Sequence, residues 1–362
     1  MADFNLTELA LKSVCPSNAV KYDDKEMPSI MVFIPKFRLC DVLTTSDTST
    51  HPAFIVNGKE IDGFWYSKYE NVTNNGRLYS LPAEDPATAG ITLDVSTAYA
   101  EAKGAGWHES TAAERAAIAL WCKKSGAMPY GNNNYGKDSR ETSYRAIKTS
   151  ADTTDPTKTG RVATGTGPLT WSHDRTPSGI WDLNGNVWEW QAGLRLVNGE
   201  LQIIPNNNAA DSTNDKSATS ALWKAIDAAT GNLVAPNGSG TTAGTVKLDY
   251  VTSKWTYTTN VPTTKGNDYC LFKDVTADAT IGTAALALLR ALAMLPESGD
   301  TGYDDDGFWA DNSQAERSLL SGGSWYYGAS AGVFGMSLSS ARSNSSPTVG
   351  CRSAFCTIPS ND

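Results

Sequence analysis

The residues of this chain whose types could do chemistry are its cysteines, its histidines and a run of three aspartates at 304–306. Cys15, Cys40, Cys122, Cys270, Cys351 and Cys356 are scattered, and none forms a C-x-x-C pair. Cys351 and Cys356 stand close together, yet no second cysteine cluster and no spaced histidine pair joins them to hold zinc. Free, buried thiols are the expectation. His51, His108 and His173 are too dispersed for a local metal motif. Asp304-Asp305-Asp306-Gly307 is an oxygen-rich turn that could take Ca2+, although a solvated acidic loop is the expected reading. No G-x-S-x-G, Walker or dinucleotide-binding motif occurs. No catalytic set assembles.

Two other segments stand out by pattern. Gly179–Trp190 reads GIWDLNGNVWEW, a Gly-Asn turn flanked by three tryptophans, with Glu189 between two indoles. A carboxylate in that setting needs partners, either backbone N–H groups or a bound cation. Leu320–Ala354 contains no Lys, Asp or Glu, and its charges are Arg342 and Arg352.

The elements that must position these segments follow from composition and periodicity. The chain has 362 residues, 40% of them hydrophobic and 11 of them Trp, enough for a folded core. Charged residues are 19%, so Ser, Thr, Asn and Gly carry the surface polarity. A net charge of −9 argues against a nucleic-acid partner, because phosphate contacts need a basic face. The apolar run Ala284–Leu295 holds Arg290 and is too short to span a bilayer, so no membrane insertion is expected. The N-terminal MADFNLTELALKSV has no basic stretch followed by an apolar one, so synthesis in the cytoplasm without a signal peptide is expected.

A helical turn is predicted at Leu6–Val14, and a strand at Ser29–Ile34 that stops at Pro35. Asn57-Gly58 and Asn198-Gly199 predict type I′ hairpins. Helices are predicted at Ser96–Lys103, from a Thr111-x-x-Glu114 capping box to Gly126, around Ala221–Ala229, and at Ala284–Leu295 capped by Thr283. Ala117, Ile118 and Trp121 keep helical spacing in the second of these. Val246–Val251 and Trp255–Thr258 read as strands. Few helices among many short strands and long loops give an α+β fold with irregular structure. Residues 1–28 read as an attachment segment, and 29–362 as one domain with loop insertions at about 131–180 and 205–282.

The motifs resemble a known family. GNVWEW at Gly185–Trp190, GGSW at Gly322–Trp325 and Gly350-Cys351-Arg352 look like the signature of the C-type-lectin-like fold of the formylglycine-generating enzyme (sulfatase-modifying factor) family. That family usually has Phe where this chain has Cys351. The resemblance makes Asn186, Trp188, Glu189, Trp190, Gly322, Gly323, Trp325 and Arg352 the structural motif. It leaves a structural calcium ion as the one cofactor to consider, with none as the expectation. The oxidases of the family use two cysteines after the GGS-aromatic motif to bind copper, and soft Cu(I) requires those thiolates. Ser324–Val349 contains no cysteine, so that activity is not expected here.

Within that fold, W-x-x-G-x-x-AGVF-x-x-x-L-x-x-ARSNS-x-x-x-VG-x-R is similar to the variable region of diversity-generating retroelement proteins, and here it lies within 320–354. In that family a reverse transcriptase rewrites adenines, chiefly in AAC codons, and the resulting NNC codons exclude Lys, Glu, Gln, Met and Trp. Tyr326, Tyr327, Ser330, Ser337, Ser339, Ser340, Ser346, Pro347 and Thr348 obey that rule, as do Ala329 and Gly335. Met336 breaks it and reads as scaffold. Interleaved Ala331, Val333, Phe334, Leu338 and Val349 should be buried while the variable positions face solvent. Tyr and small hydroxyl residues together suit a binding surface. The resemblance implies a non-catalytic receptor-binding protein of a phage or prophage tail tip, displayed on a virion. Its partner would be a cell-surface protein or glycan of a bacterial host, and the N-terminus would hold a tail or trimer partner. A cell-encoded surface or structural protein of the same fold is the alternative, and an oxidase of the family is the third reading.

Overall fold

Asparagine–glycine pairs set two of the hairpins. Asn57 and Gly58 have φ of 49° and 77° between the Ile55–Val56 and Lys59–Glu60 strands. Asn198 and Gly199, at 46° and 93°, join Trp188–Val197 to Glu200–Ile203. Positive φ at both central residues is what a type I′ turn demands, and Asn and Gly tolerate it. The protein is described here from a computed structural model covering residues 5–142 and 145–358.

The Ala112–Lys124 helix begins on the capping box, with the Glu114 N–H donating to Thr111 Oγ1 and the Thr111 N–H to Glu114 Oε2, both at 3.1 Å. Its alanines let it sit deep in the core, while Trp121 lies exposed on the outside. The Leu93–Glu101 helix starts earlier than predicted, because Thr92 caps it by accepting from the Val95 N–H. Thr283–Ala291 is helical with Gly282 rather than Thr283 at the cap position. It stops short of Leu295 because Ala293 turns left-handed, at φ 51°, and the Met294 N–H folds back onto the Leu289 carbonyl. No helix forms at Ala221–Ala229. There Lys224–Ile226 is a strand paired with Glu200–Ile203, and burying Trp223, Ala225 and Ile226 outweighs the local alanine content. Leu6–Val14 forms a nine-residue helix with no buried residue.

Two large sheets organise the mixed α/β, mostly strand architecture. The smaller runs in the order Asn18–Tyr22, Pro28–Pro35, Gly63–Ser67, Ser353–Phe355, Trp107–Glu109. It therefore ties the first strand to the last, and the boundary read at residue 28 falls inside its first hairpin. The larger sheet runs Asn267–Leu271, Gly307–Asp311, Gly332–Ser340, Arg317–Gly322, Trp188–Val197, Glu200–Ile203, Lys247–Val251, Lys254–Thr258, Thr276–Ala277. Residues 205–282, read as a loop insertion, supply strands to this sheet. The sheet curls until its ends come within side-chain reach. Trp255 Nε1 donates to the Asp268 carbonyl at 3.2 Å, and the Tyr250 hydroxyl donates to the Tyr269 carbonyl at 2.9 Å. Trp255, Tyr257, Phe308, Phe334 and Leu338 are fully buried in the core that results. Among the described residues of 131–180, a short helical turn at Leu169–Trp171 and isolated bridges interrupt irregular backbone. None of the helices among the described residues is long and apolar enough to cross a membrane.

Candidate ligand-binding surface

The GNVWEW turn places its side chains by strand alternation. Gly185 and Asn186 are left-handed, at φ 78° and 60°, and the chain then enters the Trp188–Val197 strand. Asn186 fixes the turn. Its amide donates to Glu70 and the Val162 carbonyl, and its oxygen accepts from the Val162 N–H and from Asn132. Trp188 and Trp190 point to one face and are buried, with Trp190 Nε1 on the Ile91 carbonyl at 3.1 Å. Glu189 points to the other face and meets Arg352, Nε to Oε2 at 2.9 Å, with both side chains fully buried. Its partner is thus a guanidinium rather than the backbone N–H groups or cation expected. The remaining Arg352 donors reach the carbonyls of Ser67, Lys68, Trp181 and Asp182. Nearby, the Gly185 N–H donates to the Gly322 carbonyl and the Trp325 N–H to the Asn186 carbonyl. Gly322 and Gly323 take positive φ, and Trp325 is buried with Nε1 on Asp152 at 2.8 Å. Three motif pieces far apart in sequence meet here.

Burial dominates the electrostatics of this centre. Glu70 and Asp182 are both raised, first by desolvation, and Asp182 moves from 3.8 to about 6. A carboxyl raised in the folded state holds its proton where the unfolded chain has lost it, so its contribution to stability falls as pH rises through that window. Thermal stability should therefore decline from about pH 4 to pH 6 through Asp182. The Asp182→Asn variant should flatten that decline in melting curves taken across the range; an unaltered slope would contradict the assignment.

The 326–348 segment passes through a short helical turn at Gly328–Ser330 into the Gly332–Ser340 strand, which lies between Gly307–Asp311 and Arg317–Gly322 in the large sheet. Tyr326, Ala329 and Pro347 are exposed, and Ser330, Ser339, Ser340, Ser346 and Thr348 are half-buried. Ala331, Val333, Phe334, Met336, Leu338 and Val349 are buried. Three candidates depart from the solvent-facing expectation. Ser337 is buried, because it lies in register between Trp309 and Leu320 on neighbouring strands. Gly335 is buried, and a side chain there would meet the Gly332 backbone N and O at 3.0 Å. Tyr327 is half-buried, packed edge to face on Trp188 and Trp309, with ring centroids 5.1 and 5.2 Å away. Gly335→Val should accordingly cost about 1–3 kcal/mol by overpacking. Ser339→Ala should stay within about 0.5 kcal/mol. Urea titrations of the two variants decide between crowding and tolerance at these positions.

The strand order also brings in residues from outside that segment. Tyr269 and Trp309 face each other across adjacent strands, with centroids 4.7 Å apart. Trp309 contacts Tyr327, which stacks on Tyr326 at 4.8 Å. The Tyr269 hydroxyl bonds Ser330 Oγ at 3.0 Å, and Ser339 Oγ donates to Asn267 Oδ1 at 2.7 Å. Thr348 sits at the other side, its carbonyl accepting from the Trp188 N–H, and its hydroxyl bonds Ser346. Ser340, at the far end of its strand, pairs instead with Ser318. Asn267, Tyr269 and Trp309 were not candidates from sequence. Their alternating pattern marks strands, but only pairing shows which segment they join. The assembled patch offers aromatic rings, hydroxyls and a carboxamide.

The chain resembles solved tropism determinants. The "Major Tropism Determinant P3c Variant" is 11% identical, covers 94% of this chain and 71% of its own, and superposes with a TM-score of 0.30. The I1 variant is 12% identical over the same shares, with a TM-score of 0.28. No protein-family model and no curated protein matches the chain.

The other chemistry-bearing residues are committed elsewhere. Asp304 pairs with Arg140 at 3.1 Å and Asp305 with Lys273 at 2.7 Å. Asp306 is buried, not solvated as expected, and accepts from the Phe334 N–H at 2.7 Å. His51 bonds the Ala291 carbonyl, His108 bonds Glu114 and His173 accepts from the Ile180 N–H. The six cysteines are free, and burial raises the Cys351 and Cys356 thiols. Among the described residues no group of three His, Cys, Asp or Glu gathers to hold a metal.

Proposed function

We propose that this chain is a non-catalytic receptor-binding protein of the C-type-lectin-like, formylglycine-generating-enzyme type, displaying a variable surface at a phage or prophage tail tip. One observation carries the reading: within a single segment, eight of the eleven candidate variable positions stay exposed or half-buried away from the core while the interleaved apolar residues are buried. A surface that must accept many side chains cannot rest its core on them. Tyr326, Ala329, Ser330, Ser339, Ser340, Ser346, Pro347 and Thr348 satisfy that condition, and Tyr327 does so in part. The meeting of GNVWEW, GGSW and Arg352 supports the fold reading. The receptor would be a protein or glycan on a bacterial host, bound without a cofactor, and the exposed Leu6–Val14 helix would serve attachment. Labelled protein should adsorb to some members of a bacterial panel. Substituting Tyr326, Ser339 and Pro347 together should change which strains are bound, with melting unchanged. Adsorption to no strain, or an identical strain range after substitution, would refute the proposal.

A further inference from the structure

We infer that the ligand of this surface is an uncharged glycan chain lying across four rings, Tyr326, Tyr327, Trp309 and Tyr269. The inference rests on the receptor-binding reading and names the ligand class. Successive ring centroids are 4.8, 5.2 and 4.7 Å apart: Tyr326 stacks on Tyr327, Tyr327 meets Trp309 edge to face, and Trp309 lies tilted against Tyr269, so the four rings form one contiguous row. Trp188 holds the middle of the strip from beneath, edge to face with both Trp309 and Tyr327. Tyr326 and Tyr269, at 43% and 38% exposure, present the two ends to solvent. Locked rings suit the C–H faces of pyranose units better than they suit a protein partner, whose anchors need pockets to fill.

Charge points the same way. The groups bonded along the strip are hydroxyls and a carboxamide: Tyr269 with Ser330, and Ser339 with Asn267. Each can donate or accept, which matches sugar hydroxyls and gives no counter-charge to an anion or cation. Asp311, paired in register with Asn267, is occupied by Arg317 at 3.1 Å, and the Arg140 and Lys273 that line the pocket beside Ala329 are occupied by Asp304 and Asp305. A net charge of −9 further disfavours acidic polysaccharides.

The test uses an array of neutral and anionic bacterial polysaccharides, followed by tryptophan fluorescence titration with those that bind. At least one neutral glycan should bind and alter the emission. Tyr269→Ala and Tyr326→Ala should each weaken it at least tenfold, by about 1.4 kcal/mol, without shifting the melting curve. Binding by anionic members alone, or binding indifferent to Tyr269→Ala, would overturn the inference. Cell adsorption separates this from the broader proposal. Adsorption abolished by periodate supports the glycan. Adsorption that survives periodate but not protease overturns the glycan while receptor binding stands. Absence of adsorption removes both.

Discussion

Arg352→Ala should destabilise the protein by about 3–5 kcal/mol, because it removes one partner of a fully buried ion pair. The guanidinium joins Glu189 of the GNVWEW strand to four carbonyls from two other segments. Without it, Glu189 stays buried with no counter-ion and those carbonyls lose their donors. Arg352→Lys should rescue little, since an ammonium cannot reproduce the planar fork that reaches several acceptors. Urea unfolding of both variants measures this. A midpoint equal to the parent's would mean that the pair is dispensable.

Trp190→Ala should cost about 3–5 kcal/mol as well, the range for deleting a large buried aromatic. Its ring is fully buried, and its indole nitrogen holds the Ile91 carbonyl in front of the Leu93–Glu101 helix. Tyr326→Ala, only five codons from the scaffold residue Ala331, should stay within about 0.5 kcal/mol. The contrast between these two aromatics is the thermodynamic form of the split between a core ring and an exposed one. Thermal denaturation of the pair reads it directly, and equal losses would erase the distinction.

Local chemistry made part of this legible in the sequence. The Thr111 box and both Asn-Gly turns are decided by neighbours a few residues away. What depended on partners far along the chain was not legible. Ala221–Ala229 has helical composition, yet Glu200–Ile203 recruits its middle as a strand. Gly335 obeys the codon rule, but the Gly332 backbone lies against it. Ser337 alternates correctly and is still covered, because Trp309 arrives from the adjoining strand. Tyr269 and Trp309 were missed for the same reason: their place beside Tyr327 is set by pairing between segments.

The seam of the curled sheet has one more consequence. Asn267–Leu271 ends the strand order of the large sheet, and an open edge is a template on which another chain can add a strand. Here the carbonyls of Asp268 and Tyr269 are already taken by Trp255 and Tyr250, from strands outside residues 326–348. The protection of this edge thus rests on residues outside 326–348. Substitutions at the half-buried Ser339 and Ser340 would leave both of those contacts in place.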